Sequence, residues 1–148
     1  MIDSVIFILD KDFRIRWATT SVRQYFGLDK IEIIGEDLRQ IFKDKGGTFF
    51  LDSEVFFKNV FSAYEENRCV ENFECEIAPL EGRQNYIMEH WSYPITQGDL
   101  SGGRIEIFRD ITARKAAEAQ RRRSEEKYAT LVEQSNDGIV IIQAGLVK

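Results

Sequence analysis

Chemistry in this sequence would have to come from very few side chains. One histidine, His90, and two cysteines, Cys69 and Cys75, supply all the imidazole and thiol in the chain. Two thiols in C-x5-C spacing plus one imidazole do not make a zinc site, so no metal is expected. If residues 69–75 form a strand, six steps separate the thiols by about 20 Å, far outside disulfide reach. A nucleophile–base–orienter set would depend on His90 alone, and nothing points to a partner serine or cysteine. Neither a Gly-x-x-x-x-Gly-Lys loop nor a Gly-x-Gly-x-x-Gly fingerprint is present. These absences predict no catalysis. Two thiols that cannot pair suit a reduced cytoplasmic compartment for this segment, in a full-length protein that is either free or membrane-anchored.

The elements that must position these residues follow from composition and periodicity. The chain has 148 residues, 43% hydrophobic and 30% charged. That mix belongs to a globular domain rather than a disordered segment. The longest apolar run, Val5–Leu9, is five residues. A membrane-spanning helix takes about 20, so no membrane contact by this segment is expected. No basic region followed by an apolar stretch opens the chain, so no signal peptide is expected. A net charge of −5 argues against a nucleic-acid partner.

Val5–Leu9 reads as a buried strand, and Asp10-Lys11-Asp12 as a turn. Phe13, Ile15 and Trp17 then alternate with Arg14 and Arg16, the period of a half-buried strand. Thr19, Thr20 and Ser21 offer N-caps for a short helix ending at Gly27. Residues 31–45 predict one or two short helices broken at Gly35, and Gly46-Gly47 predicts a loop. Asp52 or Ser53 can cap a helix over 53–66, with Phe56, Phe57, Val60, Phe61 and Tyr64 as its apolar stripe. Strands are predicted over 72–77, 84–95 and 103–111. Two strands, several short helices and three strands give an α+β fold with an antiparallel sheet.

From Ala113 to Gln134 no Gly or Pro occurs, which predicts one helix about 33 Å long. Residues 113–127 carry a net charge of +3 against −8 for the remainder. Arg121-Arg122-Arg123 reads as a solvated helix face. One heptad frame places Ala117, Arg121, Ser124, Tyr128 and Leu131 along a seam, polar enough for only a weak coiled coil. Beyond the helix, Asp137-Gly138-Ile139-Val140-Ile141-Ile142 echoes Asp3-Ser4-Val5-Ile6-Phe7-Ile8 at an offset of 134 residues. A second copy of the domain is expected to start there.

Several of these segments resemble the PAS sensor family. They are the opening hairpin with Asp10 at its turn, Trp17-Ala18-Thr19, and Ile34-Gly35-Glu36-Asp37-Leu38. Ser92-Tyr93-Pro94-Ile95 and the exit Arg109-Asp110-Ile111-Thr112-Ala113-Arg114-Lys115 complete the set. Thr19 departs from a frequent asparagine of the family. The segment from Ser124 to Ile139 looks like the entry to a following PAS domain. The resemblance implies a five-stranded antiparallel sheet with short helices on one face and a C-terminal linker helix. It divides the chain into a sensory domain (1–112), a helical linker (113–134) and the truncated start of a second PAS domain (135–148). It also implies a homodimer and a downstream output domain, in a sensor histidine kinase or a similar signalling protein.

The family's pocket lies between sheet and helices. Strand parity turns Ile15 and Trp17 inward against Arg14 and Arg16, and Phe73, Cys75 and Ile77 inward against Glu74 and Glu76. A buried Trp17 would make Trp17→Ala cost about 3–5 kcal/mol. Periodicity leaves the first strand and residues 84–95 open. The resemblance favours Phe7 and Leu9 in the first, and Met88 and His90 in the second. Phe56 and Val60 on the long helix and Phe108 on the last strand complete the candidate binding set. The family's flavin-adduct motif Asn-Cys-Arg-Phe-Leu is absent, and 53–66 holds no histidine for haem. The candidate occupants are none, a small metabolite, or non-covalent flavin. The alternative is a ligand-free dimerisation module of the same fold.

Overall fold

The apolar run and the alternating segment after it pair as an antiparallel hairpin. Strand β1 spans Ser4–Leu9 and β2 spans Ile15–Ala18. The Asp10 carboxylate shapes the turn, accepting from the backbone N–H groups of Asp12 and Arg14. The computed structural model describes residues 3–77 and 85–134.

Helix α1 (Val22–Phe26) ends where Gly27 takes a φ of 69°, the left-handed stop that glycine permits at least cost. Helix α2 (Lys30–Ile33) starts at Asp29, whose side chain accepts from two backbone amides. Helix α3 (Leu38–Phe49) starts at Asp37, which accepts from the Arg39 N–H at 2.8 Å. Helix α4 (Ser53–Glu65) is capped by Asp52 through the Val55 N–H. Strands β3 (Val70–Ile77), β4 (Tyr86–Pro94) and β5 (Arg104–Asp110) follow, and helix α5 (Thr112–Gln134) leaves the sheet.

The five strands run in the order β2-β1-β5-β4-β3. Every neighbouring pair is antiparallel. The outer edge of β2 is occupied, since the Ile15 N–H donates to the Glu36 carbonyl and the Gly35 N–H donates to the Ile15 carbonyl. Gly103 is required at the start of β5, because a Cβ there would lie 2.0 Å from the Leu9 carbonyl oxygen. The helices cover one sheet face, where Val5, Phe7, Leu9, Met88 and Phe108 join Phe26, Phe42, Phe56 and Val60 in a single core. This is the expected α+β architecture, with the terminal helix in place.

Three local expectations fail. Trp17 does not face inward. Ile8 pairs with Trp17 while Leu9 pairs with Ile15, so a bulge inserts Arg16 and reverses the strand's phase. Ile15 and Ala18 are buried, whereas Trp17 is 44% exposed under the Lys30 ammonium. Gly46-Gly47 is not a loop but lies inside α3. Phe42 and Phe49, seven residues apart on one helix face, are both buried, and that burial outweighs about 1 kcal/mol of helix cost per glycine. Ser21 occupies the cap position of α1 without a side-chain cap bond. Its hydroxyl instead donates to the Ser4 carbonyl and lies 2.9 Å from Thr19 Oγ1, which accepts from the Ile6 N–H. The three hydroxyl residues before α1 thus contribute a stitch to β1.

By contacts the chain divides into two units, Met1–Thr112 and the part from Ala113 onward. The described side chains of α5 from Gln120 to Ala129 are exposed. The sequence echo at 137–142 lies outside the described residues. Among the described residues no helix is long and apolar enough to cross a membrane.

Candidate functional site

Between sheet and helices lies a layer of rings. Phe26, Phe42, Phe49, Phe50, Phe56 and Phe108 are all buried there. Phe50 and Phe56 stack at 3.9 Å, and the His90 imidazole stacks on Phe108 at 4.2 Å. Phe56 bridges the two pairs, 5.7 Å from His90 and 6.2 Å from Phe108.

Beside the rings sits a buried polar cluster that strands β4 and β5 and helix α4 assemble. His90 and Ser92 on β4 pair in register with Phe108 and Glu106 on β5. Glu106 accepts from the Tyr64 hydroxyl of α4 and from the Ser92 hydroxyl. Its Oε1 also lies 3.3 Å from His90 Nε2. Arg104 donates to Ser92 Oγ from Nε at 3.0 Å and from Nη2 at 2.9 Å, and its Nε is 3.7 Å from Glu106. Arg104 also reaches the Arg68 carbonyl and Asn67 Oδ1 just after α4. A carboxylate accepts only, so in the singly protonated ring the proton lies on Nε2 of His90 and Nδ1 is the acceptor. That Nδ1 is buried without a hydrogen-bond partner. Burial and then the neighbouring Glu106 charge push the Tyr64 hydroxyl well above the usual phenol range.

A cleft of about 300 Å³ opens between the first turn of α4 and β3. Phe50, Leu51, Val55, Phe56, Phe73 and Cys75 form its apolar walls, and Asp52, Glu74 and Glu76 its acidic part. Phe56 and Phe73 stand 6.2 Å apart there. Burial, assisted by Glu74, pushes the Cys75 thiol up to about 12, so it is no nucleophile near neutrality. Neither cysteine is bonded. Among the described residues no cluster of three His, Cys, Asp or Glu could hold a metal ion.

At the far end of β5, one carboxylate organises the exit of the chain. Asp110 Oδ1 accepts from the Thr112 N–H at 2.9 Å and the Thr112 hydroxyl at 2.6 Å. Its Oδ2 accepts from the Tyr25 hydroxyl at 2.9 Å. Thr112 Oγ1 in turn accepts from the Ile87 N–H, and the Ile111 N–H donates to the Ile87 carbonyl.

Of the expected binding set, Phe7, Leu9, Ile15, Phe56, Val60, Ile77, Met88, His90 and Phe108 are buried in or against the ring layer. Phe73 and Cys75 are half-buried along the cleft. Trp17 lies on the opposite sheet face. Sequence reasoning missed Arg104 and Glu106. Placing Phe108 inward puts both on its face, at steps of two along β5, but their charge hid them.

These features define an α+β module with a five-stranded antiparallel sheet and a helical exit. A family model described as PAS fold matches residues 2–116, and the chain belongs to that family. Among solved structures, the PAS domain of a Colwellia psychrerythraea protein is 20% identical, with a TM-score of 0.51 over 76% of this chain and 89% of that one. The N-terminal domain of a Marinobacter aquaeolei diguanylate cyclase with PAS/PAC sensor is 8% identical, with a TM-score of 0.56 over 76% and 98%. Both likenesses are of fold. No curated protein matches the chain.

Proposed function

We propose that the chain is a sensory and signal-relay module that holds a small molecule beside His90 and passes its state through α5 to an output domain. The observation that carries this reading is the buried Nδ1 of His90 without a partner, in a ring that touches Phe56, a wall of the cleft. An acceptor buried dry costs about 1–3 kcal/mol, and a bound donor offsets that cost. The occupant fitting these walls is flat, largely apolar and uncharged, with one N–H or O–H to give. Asp52, Glu74 and Glu76 at the cleft disfavour an anion. A small neutral heteroaromatic metabolite, or a flavin without phosphate, has such chemistry.

A second reading, a ligand-free dimerisation module, is favoured by the closed contacts within the ring layer itself. In both readings the protein acts as a cytoplasmic homodimer and is not itself an enzyme. The proposed output is a histidine kinase. The echo at Asp137–Ile142 supports a second PAS domain ahead of it.

Native mass spectrometry and an absorbance spectrum of the freshly purified chain test the choice. Extra non-covalent mass that is lost in His90→Phe supports sensing. Clean apo protein that no flat neutral heteroaromatic stabilises against heat supports the second reading.

A further inference from the structure

Tyr25 and Phe26 are neighbours on α1 but serve different parts of the domain. The Phe26 ring belongs to the aromatic layer, 5.3 Å from both Phe49 and Phe108. Tyr25 meets Tyr86 edge-on at 4.7 Å and donates its hydroxyl to Asp110 Oδ2 at 2.9 Å. Its ring is buried, with 2% exposure. The second oxygen of the same carboxylate holds the N–H and hydroxyl of Thr112, the residue that opens α5. One carboxylate therefore binds a buried phenol with one oxygen and the start of a helix with the other.

The two bonds depend on each other. The carboxylate is a rigid plane carried on two torsions, so a bond at Oδ2 restricts where Oδ1 can lie. With the phenol removed, Oδ2 faces a buried ring and loses its donor. Rotation toward water then becomes the cheaper state, and it releases Thr112. The first amides of a helix lack internal partners and depend on such caps. Burial first, then the Asp110 hydrogen bond and charge, push the Tyr25 hydroxyl far above its ordinary value, so the donor stays protonated.

We infer that Tyr25 is a positioning residue of the relay: it fixes Asp110 as the clamp on the first turn of α5. It thereby couples the ring layer, through Phe26 on the same five-residue helix, to the exit. The relay gives the clamp its purpose. The clamp itself works with or without a bound molecule, so an apo result above leaves it standing.

Amide hydrogen exchange on the full chain tests this. Tyr25→Phe keeps the ring and its Tyr86 contact and deletes only the donor. Ala116 and Ala117 carry the first amides bonded inside α5. Their exchange should quicken about ten-fold, the size of one charged hydrogen bond, while central β1 and β5 amides change less. Thr112→Val removes the other arm and should quicken the same amides. The double variant should add little to either single change, because the two act as a unit. Phe26→Leu should quicken exchange at Ala116 in the Tyr25 protein but not in Tyr25→Phe. Phe49→Leu, which alters a ring against Phe26, serves if Phe26→Leu does not fold. Exchange at Ala116 and Ala117 that stays constant in Tyr25→Phe, or moves only in step with the whole sheet, makes Tyr25 a packing residue and overturns the clamp. An equal effect of the ring-layer variant in both backgrounds overturns the coupling.

Discussion

Nε2 of His90 lies 3.3 Å from Oε1 of Glu106, and both side chains are wholly buried. Glu106 is the acceptor on which the polar cluster turns, taking bonds from Tyr64 and Ser92 as well. It is also the buried counter-charge to Arg104, 2% exposed and 3.7 Å away. Removing one partner of a buried pair leaves an uncompensated charge and costs about 3–5 kcal/mol. Glu106→Gln should therefore lower stability in urea melts by that order. Arg104→Met combined with Glu106→Met should recover most of the loss. A double variant as unstable as Glu106→Gln would mean that the cluster's shape, not its charge balance, holds the region.

Why this cluster escaped the sequence is a matter of what periodicity reads. Alternation assigns polar residues to water, and on β3 it places Ile77 inside correctly. On β5 the same rule would turn Ile105 and Ile107 inward. The sheet does the reverse, because Arg104 and Glu106 satisfy each other and neighbours brought from β4 and α4. Such pairing is tertiary and leaves no local trace. The Asp52 cap of α4 and the Gly27 stop were legible because their bonds are local, and the Asp110-Ile111-Thr112 exit was legible as a family resemblance, whereas the Asp29 cap of α2 was missed.

Trp17 gives a direct measure of the bulge. Its side chain is 44% exposed and touched by Lys30, so Trp17→Ala should cost about 1 kcal/mol or less, as surface changes do. In a Trp91→Phe background its fluorescence should be readily quenched by acrylamide. A loss of the size expected for a buried tryptophan would restore the unbroken strand phase.

Tyr25 and Tyr64 make the fold sensitive to alkali. Burial and a neighbouring carboxylate raise both hydroxyls above the ordinary phenol value of 10.0. A raised folded value means that their contribution is complete below the unfolded value and falls as pH climbs above it. Stability should therefore decline above about pH 10. Tyrosinate absorbance from these two should appear only with unfolding, and Tyr25→Phe and Tyr64→Phe should each remove one such late equivalent. Both ionising in the intact fold would contradict the burial assigned here.

Asp37 governs the acid side. Burial pushes its carboxyl up, but hydrogen bonds and charge from Arg39, with the Arg39 and Gln40 amides, together outweigh that and hold it below its ordinary value of 3.8. A depressed value means that its contribution is present above the unfolded value and is lost as pH falls through the folded one. Asp37→Asn should cost on the order of 1 kcal/mol near pH 7, the size of a helix cap. The gap from wild type should close as pH falls through the lowered folded value of Asp37. A gap that is independent of pH would assign the loss to packing.

The described side chains of α5 from Gln120 to Ala129 are exposed, with Tyr128 at 58%. A helix so polar gains little from burial in its own chain, and its apolar seam of Ala117 and Tyr128 is interrupted by Arg121 and Ser124. Pairing with a second copy would bring Arg121, Arg122 and Arg123 toward their own equivalents. The expected association is therefore weak and opposed by like charge. Sedimentation should show a dimer that grows with protein concentration and strengthens with added salt, since about 1 M salt cuts the screening length to roughly 3 Å. Tyr128→Asp should weaken it, and Arg122→Glu should strengthen it at low salt. A chain that stays monomeric at every concentration, or a Tyr128→Asp variant that pairs as well as wild type, would remove α5 as the dimer contact and leave it a solvated spacer.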